Sequence, residues 1–112
     1  MSETTLQRQQ RHMEIIIDRV AKHYGVCPDD ITSNKVSHQF DEPRSVAVYL
    51  SRMVACVPST LISYHFNKRG DSSVTRIVKK FRRRAPHCTT MRYAVLSIQP
   101  EIYAELAKIA VL

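Results

Sequence analysis

Residues 58–84, PSTLISYHFNKRGDSSVTRIVKKFRRR, constrain the fold of this chain more than any other stretch. Two helical periods run through it, interrupted once around Gly70. In the second, Val74, Ile77, Val78 and Phe81 recur at i, i+3, i+4 and i+7, which places them on one apolar face. Thr75, Arg76, Lys79, Lys80, Arg82 and Arg83 fall on the opposite face. Gly70 supplies the backbone freedom a tight turn needs. Asp71 or Ser72 can cap the helix that follows, because a short side-chain oxygen accepts from a free N–H of the first turn. The first period carries Leu61, Ile62 and Phe66, with Ser59 or Thr60 at its start. A short helix, a tight turn and a longer helix with a basic outer face form the helix-turn-helix pattern.

Charge sharpens this reading. Residues 1–57 hold seven Lys/Arg and seven Asp/Glu, which cancel. Residues 85–112 hold Arg92 and Lys108 against Glu101 and Glu105, which cancel too. The whole formal charge of +7 therefore comes from Lys68, Arg69, Arg76, Lys79, Lys80, Arg82, Arg83 and Arg84, less Asp71. Concentrated on one helix and its preceding turn, such a charge is a footprint for phosphates.

At 112 residues, 44% of them hydrophobic, the chain is expected to form a single domain with a packed core. Two glycines and no tryptophan argue against a strand-rich fold, and no apolar run approaches the 18 residues of a membrane span. The N-terminus lacks the pattern of a secretory signal. Cys27, Cys56 and Cys88 are odd in number and widely spaced, which points to reduced thiols in a cytoplasmic protein. Cys27 and Cys56 are expected to pack against or border the core.

The remaining helices follow from periodicity. Residues 1–5 are expected to fray. From Leu6 to Tyr24, Met13, Ile16, Ile17, Val20 and Tyr24 form a stripe, with Gly25 as the stop. Pro28-Asp29-Asp30 can open a short helix ending near Ser33. Residues 33–42 lack a period and are expected to form a connection. Pro43 then sits at a helix start, and Arg44 to Val57 is the most continuously apolar helix; Val46, Leu50, Met53, Val54 and Val57 share a face, with Ala47, Val48 and Tyr49 widening it. A helix apolar over most of its girth is the central one. MRYAVLSI, within 87–97, fits a helix or a strand, and Pro100 is expected to open a last helix carrying Ile102, Leu106 and Ile109. The fold class is all-α, a compact bundle of five or six helices with the helix-turn-helix at 58–84. Residues 6–86 form its core and 87–112 a C-terminal helical extension.

From about Ile15 to Phe81 the chain resembles the C-terminal DNA-binding domain of DnaA-type chromosomal replication initiators. IIIDRVAKHYGVCPDDITS is similar to that family's first helix and turn, PRSVAVYLSRMV to its long helix, and ISYHFNKRGDSSVTRIVKKF to its signature. Phe66, Arg69, Ser72, Ser73, Val74 and Lys80 keep the signature residue or its chemistry. The family's Asp-His after the arginine is Gly70-Asp71 here, and its two glycines before it are Asn67-Lys68. The resemblance implies a Trp-repressor-like all-α fold and binding of duplex DNA, without carrying the family's sequence preference across. The initiators' ATPase module has no counterpart: no G-x-x-x-x-G-K-[ST] occurs in these residues, so no use of ATP and no cofactor are expected.

The candidate DNA contacts divide by chemistry. Arg69 matches an arginine that the resemblance places at the DNA surface, with Lys68 beside it. Ser72 and Ser73 lie where first-turn hydroxyls and amides meet phosphate or a base edge, or simply cap. Asp71, acceptor-only when ionised, either caps the helix or accepts from a cytosine amino group. Thr75, Arg76, Lys79, Lys80 and Arg83 face outward, where phosphate contact is the expected role of the cations. Ser59 at the start of the short helix and Arg44 at the start of the long one complete the set, and the resemblance adds Lys35 and His38 on the preceding loop. The expected partner is double-stranded DNA in the nucleoid, in replication control, transcriptional regulation or mobile-element biology. Structured RNA and a protein-docking role are the alternatives, because phosphate attraction does not distinguish duplexes. The uncharged C-terminal helix offers a place for a second copy or another protein. No cysteine or histidine spacing fits a metal site. The paired carboxylates Asp29-Asp30 and Asp41-Glu42 sit at apparent helix starts, so no catalysis is expected.

Overall fold

The computed structural model describes residues 4–33, 38–66 and 71–111, with side chains for all of these except 38, 71, 72 and 109–111. Among the described residues are six α-helices: α1 (Thr5–Tyr24), α2 (Pro28–Thr32), α3 (His38–Met53), α4 (Ser59–His65), α5 (Asp71–Arg84) and α6 (Thr89–Val111). A single 3-10 turn, Ala85–His87, joins α5 to α6. The architecture is all-α, with α4 and α5 as the two helices of the helix-turn-helix.

Helix α3 is the centre. Val46, Ala47, Val48 and Leu50 are all fully buried, so side chains on every side of one turn are out of water. Helices α1, α2, α4, α5 and α6 all pack against it. Helix α1 contributes Met13, Ile16, Ile17 and Val20 to the core, α4 Ile62, α5 Val74, Val78 and Phe81, and α6 Met91, Ala94, Ile98 and Ile102. Phe66, at the end of α4, is fully buried as well. The α3–α5 contact includes the rings of Tyr49 and Phe81, stacked with centroids 4.2 Å apart and 22° between planes. Their offset-stacked contact adds to the area they bury.

Several helix ends differ from the periodic reading. Of the residues expected to fray, 1–3 lie outside the described residues, while Thr4 forms a capping box with Gln7, each side-chain oxygen accepting from the other's backbone N–H at 3.1 Å. Gly25, at φ 69°, ends α1 as expected. Helix α3 begins at His38, so the residues expected as a connection include a full helical turn, and Pro43 lies inside the helix. Buried Phe40 explains this, since an apolar anchor there extends the helix towards the core. Helix α3 also stops at Met53, before Val57. Cys56 adopts φ 55°, a left-handed residue just past the helix end, and the Val57 N–H donates back to Ser51 O at 3.1 Å. Pro58 itself occupies the cap position of α4, with no side-chain cap from Ser59 or Thr60. Helix α6 runs through Pro100 without the expected restart. Pro100 is exposed, and the buried series Met91, Ala94, Ile98 and Ile102 continues across it. Packing along the inner face outweighs one lost bond on the outer face.

Polar ties fix the helices around α3. Glu42 accepts from the Tyr24 hydroxyl of α1 at 2.7 Å and from the Thr90 hydroxyl of α6 at 2.9 Å. Burial, then the Glu42 carboxylate that its hydroxyl donates to, push the Tyr24 phenol far above its ordinary value. Arg19 of α1 meets Glu105 of α6 at 3.0 Å. Cys27 and Cys56, expected at the core, are exposed, and Cys88 is half-buried beside Glu42.

Two stability changes follow, both read by denaturant unfolding. Phe81→Ala should lower stability by about 3–5 kcal/mol, because it empties a packed aromatic site. Cys56→Gly should raise it by about 0.5–1 kcal/mol, since only glycine takes a left-handed backbone without steric cost.

Candidate nucleic-acid interface

Helix α5 projects its cations because its other face is taken. Val74, Val78 and Phe81 turn inward, and the same spacing leaves Thr75, Arg76, Lys79, Lys80, Arg82, Arg83 and Arg84 exposed. Arg76 and Arg83, seven residues apart, share one line along the crest. On one flank, Thr75, Lys79 and Arg82 line a groove of about 450 Å³ shared with Arg52, Met53, Cys56 and Ser59. On the other, Lys80 and Arg84 line a hollow of about 240 Å³ with Asp41, Ser45 and Met91. Among the described residues no ion pair engages Arg76, Lys79, Lys80, Arg82, Arg83 or Arg84. The ridge therefore holds its positive field uncompensated by neighbouring carboxylates, which favours attraction of an anionic partner.

Sequence reasoning missed Arg52. It lies in the last turn of α3, in a stretch whose charges cancel, and only the crossing of α3 and α5 brings it beside Lys79 and Arg82. Arg82 is held in this groove by an N–H donated to the Met53 sulfur at 3.3 Å. Ser59 forms part of the same wall and is half-exposed.

The other expected site residues separate. Ser73, in the first turn of α5, is half-exposed. Asp71 and Ser72 belong to that turn by their backbone, while their side chains lie outside the described ones. Lys35, Lys68 and Arg69 lie outside the described residues altogether. Arg44 also serves the fold. It is only 7% exposed, and its guanidinium donates to Ile31 O at 2.8 Å and to Asp30 O at 3.1 Å. These carbonyls belong to the C-terminal end of α2, where a helix leaves its acceptors unpaired and favours a cation. Asp41 lies 3.9 Å away on the same side. Arg44 thus closes a five-residue helix that could not persist alone, and it also lines the hollow beside Lys80 and Arg84.

The profile of a family described as "Bacterial dnaA protein helix-turn-helix" matches residues 13–81, from the middle of α1 to the inward-facing Phe81 of α5. The chain belongs to this DnaA helix-turn-helix family. Relatives include the chromosomal replication initiator protein DnaA of Bartonella quintana, 34% identical over 61% of this chain and 14% of the relative. That of Acholeplasma laidlawii is 30% identical over 80% of this chain and 20% of its own length. The initiator of Nautilia profundicola is 24% identical, over 80% and 21%. The chain spans about a fifth or less of these initiators. No solved structure matches it. All of α6 lies beyond the matched segment, whereas Arg52 and the groove against α5 lie within or beside it.

Arg44→Met keeps the side-chain volume, removes the guanidinium from Ile31 O and leaves Asp30 O to the Ser33 hydroxyl at 3.2 Å. It should cost about 2–4 kcal/mol in chemical denaturation, as loss of charged hydrogen bonds to buried acceptors does. Arg83→Ala, on the crest, should leave the same curve unchanged within about 0.5 kcal/mol.

Proposed function

We propose that this chain binds double-stranded DNA through α5 and the turn before it, as a non-enzymatic DNA-reading domain acting in replication initiation. The observation that carries this reading is the row of exposed, ion-pair-free cations along α5, joined by Arg52 across the groove. Membership of the DnaA helix-turn-helix family supports it, as do the names of the relatives. Arg76, Lys79, Lys80 and Arg83 would neutralise phosphates, with Lys68 and Arg69 doing the same at the turn. Arg52 and Ser59 would hold a phosphate from the far wall of the groove. Ser73 and Thr75, in the first turns of α5, would meet base edges, with Asp71 and Ser72 at its start and Lys35 adding a further contact. The chain would reside where the chromosome is. Among the described residues no helix is long and apolar enough to cross a membrane. The C-terminal helix is left for a second copy or another protein.

Titration of a duplex of random sequence against salt tests the reading. The logarithm of affinity should fall against the logarithm of salt concentration with a slope of about −3 to −5, at about −0.9 per phosphate neutralised. Arg52→Ala should reduce the magnitude of that slope by about one and leave thermal melting unchanged. A slope near zero would refute the assignment of α5 as the binding face. Equal or tighter binding to duplex RNA would replace DNA as the partner.

A further inference from the structure

Helix α6 is apolar on two opposite faces. Met91, Ala94, Ile98 and Ile102 fill the core against α1 and α3. On the other side Tyr93, Leu96 and Tyr103 are 64%, 72% and 53% exposed, and Pro100 and Ala107 are exposed between and beyond them. On this side the His23 ring of α1 lies 5.7 Å from that of Tyr93, a contact at one edge that leaves most of Tyr93 in water. Helices that are apolar all round are normally buried on all sides.

We infer that this outer face of α6 is the surface through which two copies of the chain pair, antiparallel, about a two-fold axis beside residue 98. The inference goes beyond the proposed DNA binding and does not depend on it. Three observations select a second copy. The first is register. Thr89, Tyr93, Leu96, Pro100, Tyr103 and Ala107 follow one another at spacings of four and three, the seam of a two-helix contact. Reversal about residue 98 sets Tyr93 against Tyr103 of the other copy and Leu96 against its Pro100, so the face is complementary to itself, as a two-fold interface requires. The second is charge. The +7 of the chain resides in residues 58–84, while residues 85–112 are neutral, so two copies repel least when they meet through α6. An acidic partner would be drawn to α5 instead.

The third is area. The seam is about 27 Å long, by the rise of a helix. Its two tyrosines each offer on the order of 100–150 Å², and the whole face on the order of 500 Å² per copy. A standard stable interface buries about 800 Å² per partner, so this pairing is weak and reversible, with half-association at about 0.1–1 mM. The two α5 ridges then remain free.

Sedimentation equilibrium of the full chain, from about 10 µM to about 1 mM, tests this in the concentration range of a small interface. Monomer should give way to dimer across that range. Raising salt from about 0.1 to about 0.5 M should strengthen pairing, because it screens the repulsion between cationic copies. One variant carries Tyr93→Lys and Tyr103→Lys, a second Tyr93→Glu and Tyr103→Glu. Each alone should stay monomeric with unchanged circular dichroism and only slightly lowered melting, since the substituted residues are mostly exposed and lose one ring contact, that of Tyr93 with His23. An equimolar mixture should recover dimers holding one of each, because opposite charges then face each other. Leu96→Ser should independently weaken dimerisation of the otherwise unaltered chain by tenfold or so, at a position of little consequence for folding. A chain that is monomeric at 1 mM would overturn the proposal. So would dimers that survive both charged variants, which would place the contact elsewhere. Variants that remain monomeric when mixed would exclude the antiparallel register and leave α6 to a different protein.

Discussion

Burial of α3 on all sides is the constraint on which the rest of this structure depends. One turn of it, Val46 to Leu50, has four fully buried apolar residues, and five other helices are needed to keep them dry. Their placement is what orients the functional ridge. The Tyr49–Phe81 stack and the inward row Val74, Val78 and Phe81 fix the rotation of α5 about its own axis. With that rotation set, the 3.6-residue period leaves Arg76 and Arg83 no direction but outward. The apolar packing and the cationic surface are two consequences of one helical period.

Polar groups in this fold act mainly as ties between helices. Glu42 joins α1 and α6 to α3 through hydroxyls, which keep the carboxylate hydrogen-bonded without a cation. Arg44, two residues on, turns the other way and closes the end of α2. Each of these charges has its partners, as burial requires. The cations of α5 differ: they are exposed and, among the described residues, without ion pairs. Solvated charges contribute little to folding, so the ridge is free to serve binding.

The two ends of the molecule therefore divide the physical work. The α5 side combines charge with grooves of about 450 and 240 Å³ on its flanks, a relief into which a phosphate backbone can settle. The α6 side is neutral and apolar. The match to the DnaA helix-turn-helix family covers the first side, while all of α6 lies outside the matched residues. A reader of duplex DNA gains from such a separation, because a pairing surface away from the ridge leaves the ridge accessible.

Much of this was legible in the sequence. Period and charge together located α1, α4 and α5, the outward ridge and the central role of α3, because those depend on local spacing that tertiary packing reinforces. The sequence also carried the resemblance that the family profile bears out. Other features required the tertiary structure. Arg44 and Arg52 are both arginines on α3, and nothing local tells them apart. One is turned under α2 to cap it and the other is brought out beside α5, a distinction made only by where neighbouring helices cross. Helix α6 continues through Pro100, and α3 starts five residues before Pro43, because buried partners on the inner faces outweigh the local preference of proline to begin a helix. Local propensity amounts to about 3 kcal/mol at most for a proline, and burial of several side chains exceeds it.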